Sequence, residues 1–172
     1  MSALRGRTAR RRSSGVRLAK LHVDLPYHWR ACGEYMWALP LGDDLYELHN
    51  VPFLAYGLNC GDVVRATADD PGLAPEIRRV VIPSGHRTLR IFFADRLSQR
   101  RQLELLQRLA RLSVGFEGGP SSSFALDVTC EADIYEVLDR LEQWRLRGWC
   151  EYETCEPRIA GSFDDHPEEQ IH

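Results

Sequence analysis

The sequence predicts an α+β fold: a small β-barrel-like, strongly bent antiparallel sheet followed by a ferredoxin-like βαββαβ sandwich. Three observations carry that expectation. The first half alternates apolar and polar residues over short runs punctuated by Gly and Pro, with no helical periodicity. The second half holds two stretches with apolar residues at helical spacing, each set between strand-like runs. At 172 residues the chain suits one domain, or two small ones sharing a core.

The elements follow in order. Residues 1–15 are rich in Arg, Ser and Gly with little to bury, and read as a disordered basic arm. From Val16 to Val23 the period of two marks a half-buried strand, which Pro26 ends. Glu34 to Leu39 and Asp44 to Leu48 flank Pro40-Leu41-Gly42-Asp43 and read as a hairpin. A second hairpin joins Asp62–Thr67 to Ile77–Ile82 through Asp69-Asp70-Pro71-Gly72. These strands make a β-rich subdomain over residues 16–85, and closing them into a barrel removes exposed edges.

Residues 86–156 form the second subdomain. Thr88–Phe93 is a strand, and a polar helix start near Asp95 and Ser98 leads into a helix. Leu103, Leu106 and Ala110 line one face of it, with Leu105, Leu109 and Leu112 beside them, and Gly115 ends it. Phe116 and Phe124–Val128 suggest a hairpin around Gly118-Gly119-Pro120-Ser121. Thr129 is positioned to cap a second helix, with Glu131 and Asp133 in its first turn and a stripe of Ile134, Val137, Leu138, Leu141 and Trp144. Gly148 closes that helix, and a last strand runs from Trp149 to Cys155. Residues 157–172, with Asp164, Asp165, Glu168 and Glu169, read as a flexible acidic tail.

Composition narrows the function. No apolar run approaches the roughly 18 residues of a membrane span. The basic N-terminus is not followed by a signal-peptide core, so a cytoplasmic protein is expected. Cys32, Cys60, Cys130, Cys150 and Cys155 include no C-x-x-C pair and read as reduced thiols. His22, His28, His49, His86, Cys32 and Cys60 lack the paired spacing of a metal site. Without a phosphate loop, dinucleotide fingerprint or H-E-x-x-H, no cofactor is expected. The net charge of −3 conceals an asymmetry. The first twenty residues hold seven bases and no acid, leaving 15 bases against 25 acids, a net −10, for the rest.

The run from Gly33 to Arg65 concentrates shape-determining residues. Asn50-Val51-Pro52-Phe53 is a corner, because the residue before Pro is driven extended and Asn tolerates turns. Phe53, Leu54 and Tyr56 then supply an apolar patch. It reads either as a plug closing the barrel or as a pocket lip where Tyr46 or Tyr56 presents its hydroxyl. Asp62 is a candidate general base or a turn-fixing acceptor of backbone N–H groups. In Ser84-Gly85-His86-Arg87-Thr88-Leu89-Arg90, at the handover between subdomains, His86 is a candidate for proton transfer or a turn residue. Asn50, Phe53, Tyr56, Arg87 and Arg90 are candidates for contact with a ligand or partner, although alternation sets Arg87 and Arg90 on opposite strand faces. Arg10, Arg11 and Arg12 are the nucleic-acid candidates.

Read together, Tyr35-Met36-Trp37-Ala38-Leu39-Pro40-Leu41, the run Leu45 to Phe53, Ala55-Tyr56-Gly57, Gly61-Asp62-Val63-Val64 and Ser84 to Arg90 resemble a bacterial family known as domain of unknown function 4265. Its pattern is a Trp-containing strand, a Tyr-x-Leu-x-Asn-x-Pro-Phe corner, a Gly-Asp-Val-Val strand and a Ser-Gly-x-x-Thr turn. The resemblance runs from about Val16 to Cys155 and implies no established activity, cofactor or catalytic residue. It requires no histidine at His49 or His86.

The leading expectation is therefore a non-enzymatic protein-binding factor of a regulatory or immunity type, whose acidic body suits a basic partner. A small enzyme or ligand-binding domain with a pocket at the subdomain junction, near Asp62 and His86, is the alternative. Nucleic-acid binding through residues 1–15 is a third. The sequence leaves the oligomeric state open.

Overall fold

The computed structural model describes residues 17–165, so the basic arm and the last seven residues lie outside it. The described chain is a mixed α+β structure: a closed five-stranded barrel, then a four-stranded sheet with two helices.

The barrel strands are β1 (Ala19–Asp24), β2 (Gly33–Gly42), β3 (Leu45–Leu48), β4 (Val63–Thr67) and β5 (Glu76–Ile82), hydrogen-bonded in chain order. Period-two alternation sends Leu21, Val23, Met36, Ala38, Leu48, Val64, Ala66 and Ile77 inside, where they form one buried cluster with Leu25, Ala55 and Leu58. Closure is economical. β1 meets β5 in parallel through one residue pair, His22 opposite Glu76, with His22 N donating to Pro75 O at 2.8 Å.

The β2–β3 turn differs from the sequence expectation. Pro40 and Leu41 stay within β2, and the turn is Asp43-Asp44 alone, both left-handed at φ 53° and 59°. A two-residue turn of this kind matches the strand twist, and Asp is among the side chains that tolerate it. A register shift between Pro40 and Gly42 accommodates the proline.

The chain crosses from β5 to β6 (Arg87–Phe93) and continues as α1 (Gln99–Ala110), β7 (Val114–Gly118), β8 (Ser123–Val128), α2 (Ile134–Leu146) and β9 (Cys150–Thr154). The sheet order is β7-β8-β6-β9, with every neighbouring pair antiparallel. One face carries Leu89, Ile91, Phe93, Leu126, Val128 and Cys150 against Leu105, Leu106 and Leu109 of α1 and Val137, Leu141 and Trp144 of α2.

Both helices depart from the sequence expectation at their ends. Ser98 caps α1 by accepting from Arg101 N, but the helix stops at Ala110. Ser113, at φ 61°, makes the left-handed step assigned to Gly115, which is instead in β7. Leu103 faces solvent while Gln102 is buried, its amide donating to Leu97 O and Ser122 Oγ. Asp133, not Thr129, caps α2, because the Thr129 hydroxyl donates to Ser113 O across the sheet edge.

The C-terminal segment is also corrected for its described part. Residues 157–165 fold back onto the barrel instead of trailing as a flexible tail. Phe163 packs against the barrel core, and its carbonyl accepts from Tyr56 N at 2.9 Å. Asp164 is fully buried and accepts from Tyr27 N at 3.1 Å. Phe163 supplies the apolar anchor that the acidic composition conceals.

Asp44→Gly removes the left-handed penalty at the β2–β3 turn and is expected to raise stability by about 0.5–1 kcal/mol, read as a higher urea midpoint with unchanged slope.

Candidate functional site

The segment from Asn50 to Gly61, between β3 and β4, lies between the barrel and the second face of the sheet. That face carries Thr88 and Arg90 of β6, Glu117 of β7, Asp127 of β8 and Glu153 of β9, all in the alternate register to the core residues. Polar groups from this face and from the barrel meet the segment's backbone almost residue by residue.

Glu34 of β2 accepts three successive backbone N–H groups, from Phe53 at 2.6 Å, Leu54 at 2.9 Å and Ala55 at 3.0 Å. Glu117 accepts from Val51 N at 3.0 Å. Arg90 donates to Ala55 O at 2.6 Å and to Glu153 at 3.0 Å, and its guanidinium lies 4.6 Å from the Tyr56 ring centre. Tyr56 OH donates to Glu153 at 2.9 Å, and the Arg158 guanidinium lies 4.2 Å from the same ring centre. Burial first, then the Glu153 carboxylate, push the Tyr56 phenol up to about 12. Thr88 donates through its hydroxyl to Leu58 O and through its N–H to Asn59 Oδ1. The bonds made by Glu34, Glu117, Glu153 and Arg90 are charge-assisted, and such bonds are stronger than neutral ones and fix geometry.

The candidates from the sequence fall into place accordingly. Tyr56 and Arg90 are turned inward, each under 5% exposed, so neither presents a group to a ligand. Asn50 accepts from Trp37 N at 2.6 Å where β3 ends, substituting for a strand partner. Phe53 lies against the β7–β8 turn, where a Cβ on Gly119 would stand 2.6 Å from its ring, so only glycine fits there. Arg87 is exposed and 3.8 Å from Glu156, on the strand face opposite Arg90. The nucleic-acid candidates Arg10, Arg11 and Arg12 lie outside the described residues.

Asp62 and His86 do not form a working pair. Asp62 is buried, and its two oxygens accept from Asn59 N and Ser84 N, both at 2.8 Å. Its carboxylate ties the loop before β4 to the loop before β6. His86 instead hydrogen-bonds Asp127 through Nδ1 at 2.8 Å. A cavity of about 310 Å³ opens beside His86, walled by Pro83, Gly85, Thr88, Cys155 and Pro157, and Asp62 does not line it. Among the described residues no serine, threonine or cysteine side chain hydrogen-bonds the His86 ring, whose one side-chain partner is Asp127.

The outer face of the barrel is different in character. Tyr35 and Trp37 stand side by side on β2, 56% and 50% exposed, with Leu41 further along. Lys20 of β1 places its ammonium 4.0 Å from the Tyr35 ring centre, and His22 packs on the same ring at 5.1 Å. Trp29, in the loop leading into β2, is 73% exposed. The apolar patch read from the sequence as a barrel plug or pocket lip, Phe53 to Tyr56, does not extend to this face. Strand parity directs Tyr35 and Trp37 outward.

The model of the family described as "Domain of unknown function (DUF4265)" matches residues 34–152. The chain belongs to this family. The DUF4265 match begins at Glu34, which holds the 53–55 backbone, and spans Arg90 and Glu117, so most of the junction falls within it. The chain is also similar to a solved structure described as "Novel crystal structure of a hypothetical protein from Neisseria gonorrhoeae". That likeness has a TM-score of 0.67 at 15% identity, over 83% of this chain and 97% of that one. At that identity the likeness shows the fold alone. No curated protein matches the chain.

Among the described residues of this DUF4265 member, no three or more His, Cys, Asp and Glu side chains are grouped to hold a metal. No helix among them is long and apolar enough to cross a membrane. The five thiols are unpaired. Burial pushes Cys150 and Cys155 up to about 12, and burial followed by the Asp127 and Glu117 carboxylates pushes Cys60 up to about 11.

Two measurements check this site. In a thiol-reagent titration at about pH 8, exposed Cys32 and Cys130 react in the folded protein, while Cys60, Cys150 and Cys155 stay protonated and react only on unfolding. Arg90→Ala removes the buried cation from the Ala55 carbonyl, leaves Glu153 only its 3.4 Å contact with Arg158 as an ion pair, and is expected to cost about 3 kcal/mol in denaturant unfolding.

Proposed function

We infer that this chain is a non-enzymatic protein-binding module that docks its partner on the outer face of β1 and β2. The supporting observation is the paired exposure of Tyr35 and Trp37 on one strand, with Leu41 exposed further along it. Aromatic side chains offer large contact areas at little conformational cost, and contiguous exposed aromatics mark interaction surfaces more often than chance exposure does. The net −10 of the chain beyond residue 20 favours a partner with a basic rim, as a regulatory or immunity-type factor would meet.

The enzymatic alternative has less support, because Asp62 already uses both oxygens on backbone N–H groups and does not line the cavity beside His86. We read the second half as a ferredoxin-like sandwich, a reading favoured by its strand–helix–strand–strand–helix–strand order and the β7-β8-β6-β9 arrangement. A cytoplasmic setting fits the five unpaired thiols.

The test compares immobilised wild type with the double variant Tyr35→Ser/Trp37→Ser in pull-downs from source-cell lysate at low and moderate salt. Both residues are exposed, so the variant is expected to fold, as circular dichroism would check. A protein retained by the wild type and lost by the variant, and which protects Lys20, the only lysine, from amine labelling, supports the reading. Equal retention by both, or none at either salt, sinks it.

A further inference from the structure

The return of residues 157–163 across the barrel creates a second concavity, separate from the β1–β2 face. It lies between this segment and β5, with a volume of about 480 Å³, inside the range of roughly 300–1,000 Å³ typical of small-molecule sites. Val80, Ile159 and Phe163 make it apolar, and Arg78, Arg79 and Arg158 border it. The eleven residues that line it include these three arginines and no carboxylate, in a protein whose body is strongly acidic.

The three cations are not equivalent. Arg78 is held by Glu76 at 2.8 Å and by Asp69 at 3.4 Å. Arg158 reaches Glu153 at 3.4 Å and stacks on Tyr56. Arg79 has no ion-pair or hydrogen-bond partner for its side chain among the described residues, and it faces Arg65 across the β4–β5 ladder, so its charge is not relieved by its neighbour. One end of the concavity is fixed by Gly57 at φ +75°, where a Cβ would stand 2.8 Å from the Pro157 ring. That close approach, with Gly57 N donating to Cys155 O at 2.8 Å, gives the cleft a rigid wall.

We propose that this cleft binds a small organic carboxylate, its apolar body against Val80, Ile159 and Phe163 and its carboxylate on Arg79. A guanidinium presents paired N–H donors that match a carboxylate, and one unpaired cation beside an apolar floor suits a monoanion with a hydrophobic tail. A bare phosphate would forgo the floor. The inference is independent of the partner-binding reading, because it uses β5 and the C-terminal segment and none of the β1–β2 aromatics.

The test is a titration of the isotope-labelled full chain with phenylbutyrate, phenylbutanol and inorganic phosphate, followed by amide NMR shifts. Phenylbutyrate is expected to produce saturable shifts clustered at residues 78–80 and 158–163. Phenylbutanol should bind at least about tenfold more weakly, phosphate should give no saturable shift there, and Arg79→Gln should weaken phenylbutyrate about tenfold while leaving the rest of the spectrum in place. Because Arg79 is exposed and unpaired, the variant keeps its fold and reports on binding. The proposal is overturned by any of three results: no saturable shift up to about 10 mM phenylbutyrate, equal binding of the alcohol or of phosphate, or an unchanged affinity in Arg79→Gln.

Discussion

The buried Arg90 guanidinium is the constraint on which the two halves of this molecule depend. It stands on β6, in the face of the sheet turned away from the helices, and joins Glu153, the Ala55 carbonyl and the Tyr56 ring. Taking such a charge out of water is costly, and it is tolerated only where paired and hydrogen-bonded. The partners come from both halves: Glu153 from the sheet, Ala55 and Tyr56 from the barrel's long loop. Burying Arg90 therefore requires the barrel loop to be in place. Glu34, Glu117, Thr88 and Asp62 extend the same logic along residues 51–62, each satisfying a backbone group that would otherwise be buried unpaired.

This arrangement commits most of the junction's polar atoms to holding the fold. An active carboxylate or histidine needs an uncommitted atom facing a substrate. Asp62 is committed to the backbone, and Tyr56 is committed to Glu153. Besides the His86–Asp127 pair and its cavity, two groups of exposed side chains remain available: the Tyr35–Trp37 face and the Arg79 cleft. Both rest on scaffold made rigid by the junction, the first on a ten-residue strand and the second on a segment tied to Tyr56 and Gly57.

The architecture was legible in the sequence because its signals are local. Period-two runs, turn clusters and two apolar helical stripes locate every strand and both helices to within a few residues. Errors fall where a tertiary contact overrides a local preference. Thr129 resembles a helix cap but is taken by Ser113 O, Ser113 makes a left-handed step that glycine usually makes, and Phe163 pins a segment whose composition is acidic. The junction itself was less legible. Asn50, Phe53, Tyr56, Asp62, His86 and Arg90 do gather near the barrel–sheet boundary, but Glu34, Glu117 and Glu153, which organise them, give no local signal. A polar residue at every second strand position reads as a solvated face, and only the pairing of a sheet with a barrel loop turns that face inward. Parity does contain the clue to Tyr35 and Trp37, since Met36 and Ala38 between them supply a complete inward face.

If the polar junction couples the halves, barrel and sheet unfold as one unit. Native-state hydrogen exchange measures this directly, through the slowest amides of β4, at Val64 and Ala66, and of the sheet, at Ile91 and Leu126. The account predicts that both groups reach the same free energy of opening and respond together to denaturant. Barrel amides that open several kcal/mol below those of the sheet would contradict it.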